Sequence, residues 1–215
     1  MKGVIKMLKK YFSNMRKPEG LGGKIAIRMM NLGHSSISKW GFSHINPSTD
    51  CKALDIGCGG GANIAVLLSK CSRGTVDGID YSELSVKESK EKNKKAVENG
   101  RCRIVHGDVS KLPYQNESFN LVTAFETVYF WPDIENSFRE VRRVIKPGGS
   151  FLICNEVGGN NETHEKWVHI IEGMKIYEEK DLKDMLFNSG FSNVKSFRDE
   201  KRDWLCIIAE NNRVE

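Results

Sequence analysis

Three aspartates stand at comparable places along the chain, each closing or following a short apolar run. Asp55 follows Ala53-Leu54 and precedes the glycine cluster Gly57-Cys58-Gly59-Gly60-Gly61; Asp80 ends Val76-Asp77-Gly78-Ile79; Asp108 follows Ile104-Val105-His106-Gly107. Glycines at 57, 59 and 61 let a backbone turn tightly and bring its N–H groups against a ligand where a Cβ would clash. An acid roughly twenty residues beyond such a loop, as Asp80 is, can accept both hydroxyls of a ribose. Asp108 is placed to accept from an adenine amino group, with Val109 packing on the ring. Any one of these acids also suits a helix N-cap or a loop. Three of them at the ends of consecutive runs point to an adenosine-bearing ligand.

The glycine spacing leaves two ligand classes open. Dinucleotide sites use G-x-G-x-x-G, whose glycines support a pyrophosphate at a helix N-terminus. The corresponding third position here is Ala62, a tolerated replacement, so a nicotinamide dinucleotide stays possible. Asp55 weighs against it. A carboxylate beside the loop repels a pyrophosphate but suits a ligand carrying ammonium and sulfonium charges, as S-adenosylmethionine (SAM) does.

Residues that would meet a second substrate lie in two stretches. Phe125 and Glu126 end a fourth apolar run and lead into Thr127-Val128-Tyr129-Phe130-Trp131-Pro132. Such an aromatic run suits an apolar or cationic partner as well as ordinary packing. Nearer the N-terminus, His34 is a candidate proton acceptor and Trp40 a candidate substrate contact. Glu126 and Tyr129 complete the candidate catalytic set, and Trp131 joins Trp40 as a substrate contact. His164, Glu165 and His169 do not have H-E-x-x-H spacing, so no metal is expected.

These residues need a scaffold that brings strand ends together. From residue 51 the chain alternates short strand-like runs with longer helical periods, the pattern of βαβ units and a mostly parallel sheet. Strands are expected at 53–57, 75–80, 102–108, 119–125 and 150–155, with helices at 62–70, 82–99 and 178–188. Ser85 and Glu88 have the spacing of a capping box. A further helix opens at Pro132 with a buried face at Ile134, Phe138, Val141 and Ile145, and Pro147-Gly148-Gly149 ends it. The last two strands, 193–198 and 204–209, are joined by a link too short for a helical crossover, so they pair antiparallel. Segments 1–50 and 157–177 fall outside the alternation and are placed to close over the carboxyl ends of the strands.

With 215 residues, the chain fits one well-buried domain. No apolar run reaches membrane-spanning length, and no secretory signal is expected. Six cysteines without C-x-x-C spacing read as buried free thiols, which fits a cytoplasmic protein. The net charge of +5 is dispersed, so no nucleic-acid partner is expected. The exception is the first 24 residues, where lysines accompany Val4, Ile5, Leu8 and Phe12 at the spacing of a basic amphipathic helix. It is expected to pack over the domain, with an anionic surface as the alternative.

Taken together, A-L-D-I-G-C-G-G-G at 53–61, G-I-D-Y-S at 78–82, H-G-D-V-S-K-L-P-Y at 106–114, F-N-L-V-T-A at 119–124 and V-I-K-P-G-G at 144–149 resemble the class I SAM-dependent methyltransferases. The L-P-Y…E-S-F-N-L-V block followed by R-E-V-R-R-V-I-K-P-G-G looks like the small-molecule branch of ubiquinone- and menaquinone-biosynthesis type (methyltransferase type 11). The resemblance implies an α/β fold, a Rossmann-like three-layer sandwich. Its seven-stranded, mostly parallel sheet ends in a C-terminal antiparallel hairpin. It implies a lid at 1–50 and a SAM-binding domain at 51–215. By the same resemblance Asp55 and Gly57 hold the methionine part of the cofactor, Gly59 and Gly61 shape the turn, and Asp80 with Tyr81 holds the ribose. Asp108 and Val109 hold the adenine, and Phe125 lies where the acceptor meets the sulfonium. The implied reaction is in-line methyl transfer to a small molecule by a monomer or homodimer, releasing S-adenosylhomocysteine (SAH). The alternatives are a SAM-binding sensor without turnover, or a methyltransferase acting on protein or RNA.

Overall fold

The computed structural model describes residues 17–156, 171 and 173–212. The expected helix at 1–24 has its first 16 residues outside that set, and His164, Glu165 and His169 also lie outside the described residues. Two helices come first, α1 (Gly20–Gly33) and α2 (Ser35–Ser43). Then follow β1 (Lys52–Ile56), α3 (Ala62–Lys70), β2 (Thr75–Asp80), α4 (Glu83–Lys92), α5 (Lys94–Glu98) and β3 (Cys102–His106). The second half holds β4 (Phe119–Phe125), α6 (Ile134–Val144), β5 (Ile145–Asn155), α7 (Glu179–Asn188), β6 (Ser192–Asp199) and β7 (Trp204–Glu210).

The strands form one seven-stranded sheet in the order β3-β2-β1-β4-β5-β7-β6. β1 to β5 run parallel, and β7 lies antiparallel between β5 and β6, as the short link before Trp204 requires. The chain winds outward from β1 to β3 and then crosses back to place β4 on the other side of β1. That reversal opens a crevice beyond the carboxyl ends of β1 and β4, where open α/β sheets bind ligands.

Side chains alternate across the strands and feed two cores. Val122, Phe151 and Ile153 face α6 and α7, meeting Phe138, Val141 and Leu182. Leu121, Leu152 and Cys154 face the other way, toward Ile37 of α2 and Ile64 and Leu67 of α3. All six cysteines are free and buried, as their apolar surroundings suggest.

Three local expectations need correction. The helix expected at 82–99 breaks at Asn93, because that side chain turns inward and donates to the carbonyls of Gly61 and Ser89, both at 3.0 Å. The cap of α4 is Ser82, whose hydroxyl accepts from the Ser85 N–H at 3.3 Å; Glu88 instead pairs with Lys24 of α1 at 3.2 Å. The helix after Pro132 keeps its buried face at Ile134, Phe138 and Val141, capped by Asp133. Ile145 already belongs to β5, which begins before the Pro147-Gly148-Gly149 turn.

Candidate active site

A cavity of about 220 Å³ lies over the carboxyl ends of β1, β2 and β4, roofed by α1 and α2. Gly57, Gly59, Gly60, Asp80 and Tyr81 line it, together with His34, Phe125, Glu126, Thr127 and Phe130. The expected site residues therefore separate into those the fold brings to the cavity and those it holds beneath or beside it.

The glycine loop is shaped by contacts as well as by turn geometry. Gly57 has φ +70°, and a Cβ there would strike the Thr127 hydroxyl that closes the loop from the β4 side. The N–H groups of Gly57 and Cys58 donate to the Ile79 carbonyl at 2.8 and 3.1 Å, which ties the loop to the end of β2. Gly60 lies directly under Asn31 and Ile27 of α1, with no room for a side chain between them. The roof thus rests on the loop itself.

Asp80 sits where its place in the sequence puts it. Its Oδ2 accepts from the Gly59 N–H and its Oδ1 from the Ser82 N–H, each at 2.8 Å. Burial raises its pKa in spite of these bonds, which favour the anion. Asp55 is placed differently from the expectation of a direct ligand contact. It is buried between β1 and β4, accepts the Thr123 hydroxyl at 2.7 Å and does not line the cavity. Burial pushes its carboxyl up to about 7, the Thr123 bond opposing and the nearby Asp80 charge assisting. Asp108 caps a 3₁₀ turn, its Oδ1 accepting from the Ser110 N–H at 2.8 Å, and Val109 is buried in the core; neither lines the cavity. Gly61, also outside the lining, turns the loop into α3 with φ +75°.

The structure also brings together three potential ligand groups from separate elements. His34 joins α1 to α2: its N–H donates to the Met30 carbonyl and its carbonyl accepts from Ser38. Glu126 follows β4 and Glu156 follows β5. One ligand atom from each of these three side chains lies within 4.8 Å of the others. Glu126 Oε1 accepts from the Glu156 N–H and from the Tyr129 hydroxyl, the latter at 3.4 Å. Burial and the neighbouring Glu156 charge push the Glu126 carboxyl up to about 8. Burial lowers the His34 pKa, with Glu156 opposing, so the imidazole favours its neutral form.

Trp40 and Trp131, the expected substrate contacts, are not among the residues lining the cavity. Trp131 is turned into the core, its ring parallel to Phe151 at 6.1 Å and its indole N–H donating to Thr127 at 3.2 Å. Trp40 packs against Trp204 at 5.8 Å and edge-on to His44 at 4.8 Å. From the aromatic run Phe130 lines the cavity instead. Sequence reasoning missed Phe130, Asn31 and Glu156. Glu156 had a signal, since it ends a predicted strand just as Asp55, Asp80 and Asp108 do.

Comparison with known proteins agrees with this geometry. A family model described as "Methyltransferase domain" matches residues 54–153. Demethylmenaquinone methyltransferase of Staphylococcus aureus (strain MRSA252) is 41% identical over 107 residues, covering 49% of this chain and 42% of its own. Cycloartenol-C-24-methyltransferase 1 of Oryza sativa subsp. japonica is 33% identical over 120 residues, covering 54% of this chain and 35% of its own. The chain thus spans less than half the length of these two curated relatives. Among solved structures, the complex of the Haloferax volcanii Trm112 methyltransferase activator with a methyltransferase contains a chain of the same fold. It gives a TM-score of 0.78 at 17% identity, covering 87% of this chain and 94% of that one. Residues 54–153 are thus similar to the methyltransferase domain family, and the sheet has the Rossmann-like strand order of the solved neighbour.

Proposed function

We propose that the protein transfers a methyl group from SAM to a small-molecule acceptor. The observation that carries this reading is that one cavity is lined both by the glycine loop with Asp80 and by His34 and Glu126. The residues present suit the cofactor. Gly59 has φ +51° and open space where a Cβ would project, so a ligand can approach the backbone there. The Asp80 carboxylate lines the cavity with acceptor capacity beyond the two N–H groups it already holds.

When bound, SAM supplies a methyl group already activated by its sulfonium charge. The chain's own part is then alignment and exclusion of water. The roof of α1 and α2, resting on the loop at Gly60, keeps solvent from the cavity's upper side. Phe125 and Phe130 offer the acceptor apolar wall. Where an acceptor must lose a proton, His34 stands neutral and ready to take it, and Glu126 is oriented by Tyr129 and the Glu156 N–H. Residues 1–50 serve in this reading as cap over a domain spanning 51–215. The active form is a monomer or homodimer in the cytoplasm, where six buried thiols stay reduced. No helix among the described residues is long and apolar enough to cross a membrane.

Calorimetric titration with SAH, using NADH as control, tests the cofactor class. Saturable binding of SAH and none of NADH is expected. NADH binding, or binding of neither, would remove the methyl-transfer reading and leave the fold.

A further inference from the structure

Glu126 and Glu156 approach each other beside the His34 imidazole. Among the described residues neither glutamate forms an ion pair with a lysine or arginine. Among the described residues Lys39 is the one lysine or arginine lining the cavity, and no ion pair joins it to either glutamate. The three side chains come from the α1–α2 junction and the ends of β4 and β5, so the fold, not one local segment, assembles them. Glu126 is also oriented in the manner of a metal ligand, with one oxygen held by the Glu156 N–H and the Tyr129 hydroxyl.

We propose that His34, Glu126 and Glu156 bind one divalent transition-metal ion, of the Mn²⁺ or Fe²⁺ kind, at the acceptor end of the cavity. An imidazole with two carboxylates is a donor set these ions accept. Three protein ligands, two of them on the cavity wall, leave coordination positions open toward it, as in catalytic rather than structural metal sites. The ion would hold a water or an oxygen-bearing acceptor there, an assignment of substrate class that rests on reading this cavity as the place of methyl transfer.

The test is titration of the chelator-treated full chain with Mn²⁺, followed by electron paramagnetic resonance of the free ion. Mn²⁺ is the probe because it is paramagnetic and suits carboxylate ligands. One equivalent should bind saturably, and E156Q and H34A should each weaken it by about tenfold or more. Y129F should weaken it less, since it removes an orienting bond and no ligand. Melting curves show whether each variant is folded. The absence of saturable Mn²⁺ binding, or equal binding by wild type, E156Q and H34A, overturns the site. SAH calorimetry on the same preparations separates the two readings. SAH binding without Mn²⁺ binding sinks the metal site alone, and Mn²⁺ binding without SAH binding sinks methyl transfer alone.

Discussion

The backbone N–H of Glu156 donates to the side chain of Glu126, while the Glu126 N–H donates to Cys154, the residue paired with Phe125 in the ladder. Hydrogen bonding between β4 and β5 therefore continues past the last strand pair and ends on a carboxyl group. Glu126 also carries φ +58°, a backbone region that non-glycine residues seldom occupy. Glu126→Gln keeps an acceptor for both donors, so its thermal midpoint should match wild type while transfer activity falls. Glu126→Ala removes the acceptor that the Glu156 N–H and the Tyr129 hydroxyl share, which costs about 1–3 kcal/mol. Equal melting of the two variants would mean that the hydrogen bonds do not anchor this corner.

Asp80 tests the cofactor end. Its carboxylate holds Gly59 and Ser82, so its loss affects both ligand and loop. Asp80→Ala should weaken SAH binding by about 1–3 kcal/mol, as expected for a lost hydrogen bond to a charged group. Asp80→Asn should fall between, since it keeps one acceptor oxygen. Calorimetry showing unchanged affinity in Asp80→Ala would place the ribose elsewhere.

Gly57 combines a left-handed backbone with a close neighbour. Gly57→Ala should lose about 1–2 kcal/mol from its backbone alone, with a further loss from collision with Thr127. Adding Thr127→Ala should recover only part of the collision, because the Cβ that alanine keeps would still lie 2.7 Å from the added methyl. Full recovery of the thermal midpoint in the double variant would show that the positive φ is not required.

Asp55 gives a pH dependence whose sign follows from its environment. Its folded pKa of about 7 lies above the ordinary carboxylate value, so between about pH 4 and 7 the native state holds a proton that the unfolded chain releases. The Asp55 contribution is thus fully present below about pH 4 and is lost as pH rises through 7. Urea denaturation across that range should show a decline that Asp55→Asn flattens. A variant with the wild-type slope would assign the effect to another group.

Most of the fold was legible because its signals are periodic. Val122 and Leu152 alternate with neighbours facing the other core, and Ile134, Phe138 and Val141 recur at helical spacing. Asp80 was legible for the same reason: a strand end fixes where its side chain emerges. What stayed hidden depends on tertiary approach. No local pattern tells that Asp55 turns to the Thr123 hydroxyl, that Asn93 breaks a helix to reach Gly61, or that Asn31 lies on Gly60. Aromatic composition alone was also insufficient, since Phe130 faces the cavity while Trp131, one residue on, faces the core. Trp131→Phe should accordingly lower the thermal midpoint without changing the KM for an acceptor. A raised KM with an unchanged midpoint would return Trp131 to the acceptor wall.

The N-terminal segment was expected to act as a lid, which implies that the remainder folds without it. The packing gives the segment a structural part as well. Ile37 is fully buried and Phe42 nearly so, both within the core that contains Phe125 and Cys154. Gly41 is close enough to Cys154 and Phe125 that a Cβ would collide with both. Ser38 also donates to Asn63 of α3 at 2.6 Å. Deleting residues 1–50 would expose the face of β4 and β5 that α2 covers, along with the apolar surface of Phe125. The truncated chain should lack a cooperative melt, bind a hydrophobic dye and fail to bind SAH. Ser38→Ala, a milder change, should cost about 1 kcal/mol for its lost hydrogen bond and leave the chain folded. A truncated chain that melts cooperatively near the full-length midpoint would instead make α1 and α2 a separable cap, and the buried positions of Ile37 and Phe42 a consequence of closure and not a condition of folding.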